Sequence, residues 1–224
     1  MIRKILRNIK NLINLPKTLY INFKCMEFNK AIKLPIQVNH RVKLGKLYKG
    51  AIEINCDIHK YMIKLGFSGA GFVSENKSYL SIGRSGKIIF EGSATIAEGL
   101  NIFIDKGIIK IGKNFYANRN IELQSENRIE FGDNCLLGWN VSIRDTDGHK
   151  LIKDGEKCSE IGEILIGDHV WIASHCIILK DSVITDESVV GCNSLVSGVK
   201  MEDKNSLLVG CPARIKRKNI SWEE

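Results

Sequence analysis

The sequence predicts an all-β solenoid, and three columns of residues carry that prediction. An aliphatic residue returns every six positions at Ile166, Ile172, Ile178, Ile184, Val190 and Val196. The residue that follows it keeps the same step through Gly167, Ala173, Leu179, Thr185, Gly191 and Ser197. A small or apolar residue four after it does likewise, at Val170, Cys176, Ser182, Ser188 and Ser194. A helical period of about 3.6 drifts off such a column within two turns, whereas short strands joined by tight corners hold it. Three units close one coil, and stacked coils bury the aliphatic column continuously.

The repeat is legible upstream in groups, at Ile82 and Ile88, Ile96 and Ile102, Ile111, Ala117 and Leu123, and Phe131, Leu137 and Ile143. Each group keeps the six-residue step, and the phase slips by two or three residues between groups. The solenoid is therefore expected over about 71–199. Residues 1–70 read as an amphipathic helix followed by an irregular β region, and 200–224 as a cap that folds back over the last coil. One interruption is large: 23 positions separate Ile143 from Ile166, and 144–165 is expected to be extruded as a loop. A repeat that breaks stride in this way does so where a site needs geometry that the repeat forbids.

In the N-terminal helix Ile2, Ile5, Leu6, Ile9, Leu12 and Ile13 share one face, with Arg3, Lys4, Arg7 and Lys10 elsewhere on the turn and Pro16 expected to end it. Two fates fit a basic amphipathic helix: packing on the solenoid or a neighbouring subunit, or lying on an anionic membrane face. No run approaches a membrane span, and Ile2 to Leu15 lacks the continuous apolar core of a signal peptide. The net charge of +8 and pI near 9.1 favour an anionic partner. Nucleic acid is disfavoured, because the basic excess lacks interleaved aromatics or a recognised binding module. Seven scattered cysteines without a CxxC pair fit a reducing cytoplasm and exclude the familiar zinc motifs. Most serve as small apolar packing residues.

Within the interrupting loop, His149 follows Gly148 and lies two residues from Asp147 and four from Asp145. Imidazole exchanges a proton near neutral pH, and a nearby carboxylate can fix its tautomer. His149, Asp147 and Asp145 are accordingly the candidate catalytic set. The alternative for Asp147-Gly148 is ordinary turn chemistry.

The runs Gly112 to Asn120, Ile129 to Leu136, Asp145-Thr-Asp-Gly-His149 and Ile166-Gly-Asp-His-Val-Trp-Ile172 resemble the sugar O-acetyltransferases of the maltose and galactoside acetyltransferase kind. Bacterial polysaccharide acetyltransferases of the same superfamily are similar too at Leu15 to Phe23, Gly210 to Lys216 and Asn219 to Trp222. The resemblance implies a left-handed parallel β-helix and a homotrimer with active sites between subunits. It implies direct transfer from acetyl-CoA to a sugar hydroxyl, with His149 as general base and no metal.

It also implies that Asn118 orients the acceptor, although a corner asparagine in the left-handed conformation is an equal alternative. Trp139 points outward, to stack on a sugar or cover a subunit contact. For CoA the resemblance marks Ala173 and Ser174 in one coil, Cys192 and Ser197 in another, and Arg214 and Arg217 for its phosphates. The chain departs from the family pattern where Gly198 replaces an expected lysine. The rival readings are an N-acetyltransferase of an amino sugar, a metal-dependent hydratase of the γ-carbonic anhydrase kind, and a non-enzymatic trimeric scaffold. His169 and His175, six apart, fall on successive faces and do not jointly face one ion.

Overall fold

The six-residue step becomes a triangular prism. A computed structural model describes residues 2–67 and 77–223, with 2–11 as backbone. Every member of the aliphatic column, from Ile82 to Val196, is buried. The corner residue three after it takes positive φ at His169 (52°), His175 (63°), Asp181 (63°), Glu187 (59°) and Asn193 (59°), and Asn114, Asn120, Asn134 and Asn140 do the same upstream. Asn and Asp tolerate this left-handed turn better than other residues with a Cβ.

Three parallel sheets form the faces. The first contains Ile36–Val38, Ile63–Phe67, Ala94–Ala97, Phe115–Ala117, Leu136–Leu137, Trp171–Ile172, Val189–Val190 and Leu207–Gly210. The second contains Val42–Leu44, Ser78–Ile82, Asn101–Ile104, Glu122–Ser125, Ser142–Arg144, Ile177–Leu179 and Leu195–Val196. The third contains Ile52–Ile54, Lys87–Phe90, Ile108–Ile111, Arg128–Phe131, Glu163–Ile166 and Ser182–Ile184. Neighbouring coils stack in register, with aliphatic over aliphatic, as in Leu123 on Ile143 on Ile178 on Val196. The stack begins at Ile36, upstream of the start near 71 expected from the repeat, because Ile36–Val38, Val42–Leu44 and Ile52–Ile54 pair in register with the coil above. That expected boundary itself lies outside the described residues.

One vertex is also stitched by aspartates. Asp133, Asp168 and Asp186 accept the backbone N–H of Lys113 (2.8 Å), Asp133 (2.7 Å) and Asp168 (3.0 Å) in turn. The Asp186 carboxyl is held below its usual range, first by its hydrogen bond from Lys204.

The first coil exposes a strand edge, which helix α1 (Ile2–Cys25) covers. The expectation that Pro16 would end this helix is corrected: α1 runs through it. The carbonyl that Pro16 leaves without its N–H partner belongs to Leu12, on the solvent side, where water can satisfy it. The second half is then fixed by tertiary bonds. Asn22 donates to Ile36 O (2.7 Å) and accepts from Ile36 N–H (3.2 Å), Thr18 accepts from Val38 N–H (3.1 Å), and Asn14 accepts from His40 N–H (2.8 Å). Four helical residues rise about 6 Å and two strand residues about 6.6 Å, so side chains at i, i+4 and i+8 match alternate strand amides. A short helix α2 (Phe28–Ala31) follows.

At the other end Ala213–Arg217 returns antiparallel to Leu207–Gly210. The chain then runs back to Trp222, which stacks on His169 at 4.1 Å and donates Nε1–H to its carbonyl at 2.9 Å. Among the described residues no helix is long and apolar enough to cross a membrane.

Candidate active site

The interruption after the second face is an antiparallel arm rather than an irregular loop. Thr146 bridges Ile161, Ile152–Lys153 pairs with Glu156–Lys157, and Asp154 (φ 51°) and Gly155 (φ 83°) make the two-residue turn. His149 sits at its base, immediately after Gly148 (φ 73°), and is exposed.

Asp145 anchors the arm. Its carboxylate is fully buried and accepts Ser125 Oγ–H (2.7 Å), Glu126 N–H (2.7 Å) and Asn127 N–H (3.0 Å) from the coil beneath. Its own carbonyl receives Gly162 N–H at 2.9 Å, closing the arm's neck. The expectation that Asp145 would hold the His149 tautomer is thereby corrected, since the carboxylate is turned into the coil and occupied there. Asp147 does not reach the imidazole either. It pairs with Lys180 at 3.2 Å, and the same ammonium donates to Ser159 O at 2.8 Å, so Lys180 clamps both limbs of the arm onto the next coil. Sequence reasoning missed Lys180 because no local pattern marks a contact that spans 33 positions.

Most of the other predicted residues gather at a different vertex, between the first and second faces. Arg119, Trp139 and Ser174 follow one another up this edge, since Arg119 O receives Asn140 N–H, Trp139 O receives His175 N–H, and Ser174 O receives Asn193 N–H. Asn118, Gly138, Ala173 and Gly191 form the adjoining column, and exposed Cys192 follows Ser174 at the end of the first. Small side chains here answer first to coil stacking: a Cβ on Gly138 would meet the Ser174 nitrogen at 2.6 Å. Asn118 is not the left-handed corner residue, because Asn120 takes that conformation. Instead Asn118 Oδ1 is buried and accepts no hydrogen bond from the described residues. Next to it, Arg119 pairs with Glu98 at 2.9 Å, largely buried. Trp139 is partly exposed, as its outward position requires.

Ser197 lies apart from Cys192, at the second vertex, where the adjacent Gly198 N–H bonds Lys180 O. Arg214 pairs with Val209 near the first vertex, whereas Arg217 pairs with Leu207 at the far end of that strand. The first vertex and the arm are separated by one face of the prism, about 15–20 Å of strand. Within one chain, Asn118 and His149 therefore do not meet.

Two of the buried thiols are poor nucleophiles. Desolvation pushes Cys25 and Cys135 up to about 12, and burial also raises Cys176. Among the described residues no three His, Cys, Asp or Glu side chains group as metal ligands.

A parallel β-helix with one extruded histidine-bearing arm defines a class, and the comparisons with known proteins fall within it. No protein-family model matches the chain. Galactoside O-acetyltransferase of Escherichia coli strain K12 is 31% identical over 194 residues, covering 80% of this chain and 88% of that protein. Polysialic acid O-acetyltransferase of Neisseria meningitidis is 26% identical over 122 residues, covering 47% of this chain and 57% of that protein. The crystal structure of the polysialic-acid-specific acetyltransferase NeuO shares the fold, with a TM-score of 0.54 at 18% identity over 84% of this chain and 71% of that one. The chain is thus a left-handed β-helix acetyltransferase. It belongs to the hexapeptide-repeat sugar O-acetyltransferase family, of which the galactoside enzyme is a member.

Proposed function

We propose that this protein transfers the acetyl group of acetyl-CoA to a hydroxyl of a sugar, in a bacterial surface polysaccharide or its precursor. The relation to galactoside O-acetyltransferase along most of both chains carries this reading. His149 is the general base. Its imidazole takes the hydroxyl proton as the sugar oxygen attacks the thioester carbonyl, and it returns that proton to the CoA sulfur as the carbon–sulfur bond breaks. Transfer is direct, so no acyl-enzyme forms. The thiols pushed up by burial are consistent with that.

The acceptor and the thioester bind along the first vertex of a neighbouring copy in a homotrimer, because His149 and that vertex lie on opposite sides of a face. Asn118 offers its unpaired buried oxygen to an acceptor hydroxyl. Trp139 supplies an exposed ring for stacking. Ala173, Ser174 and Cys192 leave room for the pantetheine arm along the edge, with Ser197 contributing from the second vertex. Arg214, at the first vertex, meets the CoA phosphates, and Arg217 lies farther along the same strand.

The test is acetyl transfer from radiolabelled acetyl-CoA to a panel of free sugars, nucleotide sugars and polysaccharide fragments. The expected product is an alkali-labile O-acetyl ester on a sugar. Label appearing only as an alkali-stable amide on amino sugars, or on no acceptor in the panel, would overturn the reading.

A further inference from the structure

Helix α1 is inverted relative to an ordinary surface helix, which turns its apolar face inward. Its buried side is Asn14, Thr18, Ile21, Asn22 and Cys25, and the polar members are spent on the strand edge. Its solvent side is Leu12, Ile13, Leu19, Tyr20 and Phe23, all exposed, with Leu12 at 71%. At 3.6 residues per turn the two sets are centred about 180° apart. The apolar stripe continues past the helix end, where the rings of Phe23 and Phe28 lie 5.8 Å apart and Phe28 and Ile32 are 66% and 59% exposed. A contiguous exposed apolar patch on a polar surface marks an interaction site.

Charge identifies the occupant. Helix α1 contains no Asp or Glu, and it contains Arg3, Lys4, Arg7, Lys10, Lys17 and Lys24. Lys24 borders the stripe and Lys33 lies beyond its end, both exposed, whereas Lys17 Nζ is spent on the His40 and Val42 carbonyls, each at 2.6 Å. A second copy of the helix would bring the same charges face to face, whereas an anionic lipid surface offers both the headgroup charge and the apolar layer. We propose that this stripe seats the protein in the interface of an anionic bilayer, with Leu12, Leu19, Tyr20, Phe23, Phe28 and Ile32 in the acyl boundary and the exposed Lys24 and Lys33 among the headgroups. The arm is on the fifth coil and the helix covers the first, so docking holds His149 about 20 Å beyond the coil that the helix covers. This inference is independent of the acetyl-transfer reading.

Co-sedimentation of the full chain with vesicles tests it. Vesicles of phosphatidylcholine with about one-third phosphatidylglycerol should bind at least about tenfold more tightly than phosphatidylcholine alone, and less as salt rises. Tyr20→Ser with Phe23→Ser should weaken binding to the anionic vesicles about tenfold or more at unchanged circular dichroism. Lys24→Glu with Lys33→Glu should remove most of the preference for anionic lipid. Equal binding to both vesicle types, no binding, or unchanged binding by the Tyr20/Phe23 variant would overturn the proposal. If that variant instead dissociated the protein in sedimentation velocity, the stripe would be a contact between copies and the proposal would fail.

Discussion

His149→Ala is expected to lower kcat for acetyl transfer by about 10²–10⁴-fold, the range typical of removing a positioned general base, with the coil stack intact. The side chain is exposed and makes no hydrogen bond within the described chain, so its loss leaves no buried group unpaired. Stability should therefore change by less than about 0.5 kcal/mol, as for surface substitutions generally. The measurement is a steady-state assay on variant and parent together with their denaturant midpoints. A large fall in kcat at equal midpoint assigns the effect to chemistry. Undiminished transfer would remove His149 from the mechanism.

Asp145→Ala is expected to lose activity for a different reason. The fully buried carboxylate satisfies three donors at a corner of the coil below, and hydrogen bonds to a charged group contribute roughly 1.5–3 kcal/mol each. Removing all three should cost about 3 kcal/mol or more, since the Ser125 hydroxyl and the part-buried Glu126 and Asn127 N–H groups lose a charged acceptor together. The arm's neck loosens with them, so kcat should fall by more than the KM for acetyl-CoA rises, since most of the proposed CoA contacts lie at the other vertex. Asp145→Asn keeps an acceptor oxygen but turns an NH2 toward a donor, and it should fall between the two. Faster proteolysis within the arm, read on intact mass, would separate local release from global unfolding. A variant as stable and as protease-resistant as the parent would show that Asp145 does not anchor the arm.

These two residues, four apart in sequence, also show where sequence reading reaches and where it stops. The six-residue step is strictly periodic, and a packed column is the only use for it, so the solenoid and the identity of its core are legible from Ile82 onward. The first coil was harder to see, because Ile36–Val38 and Ile52–Ile54 are separated by corners of irregular length that hide the period. The helix was legible through its apolar face, but not the side on which that face would lie: the bonds of Asn14, Thr18 and Asn22 to a strand edge decide it, and they need the partner in place. Pro16 does not end the helix, because the exposed Leu12 carbonyl tolerates the missing N–H. In the interruption, Asp154-Gly155 between Ile152-Lys153 and Glu156-Lys157 was a readable hairpin signal. The destination of the Asp145 carboxylate was not readable, since its donors come from another coil.

Each active site is proposed to be assembled from His149 of one chain and the Asn118 vertex of its neighbour. Co-expression of His149→Ala and Asn118→Ala chains tests it most directly. Each variant alone should be nearly inactive. Mixed trimers should regain about a quarter of the parent rate, because a site works only when an intact histidine from one chain faces an intact asparagine from the next, and random assembly at equal amounts pairs them so in about one site in four. A mixture no more active than its two parents would contradict the account.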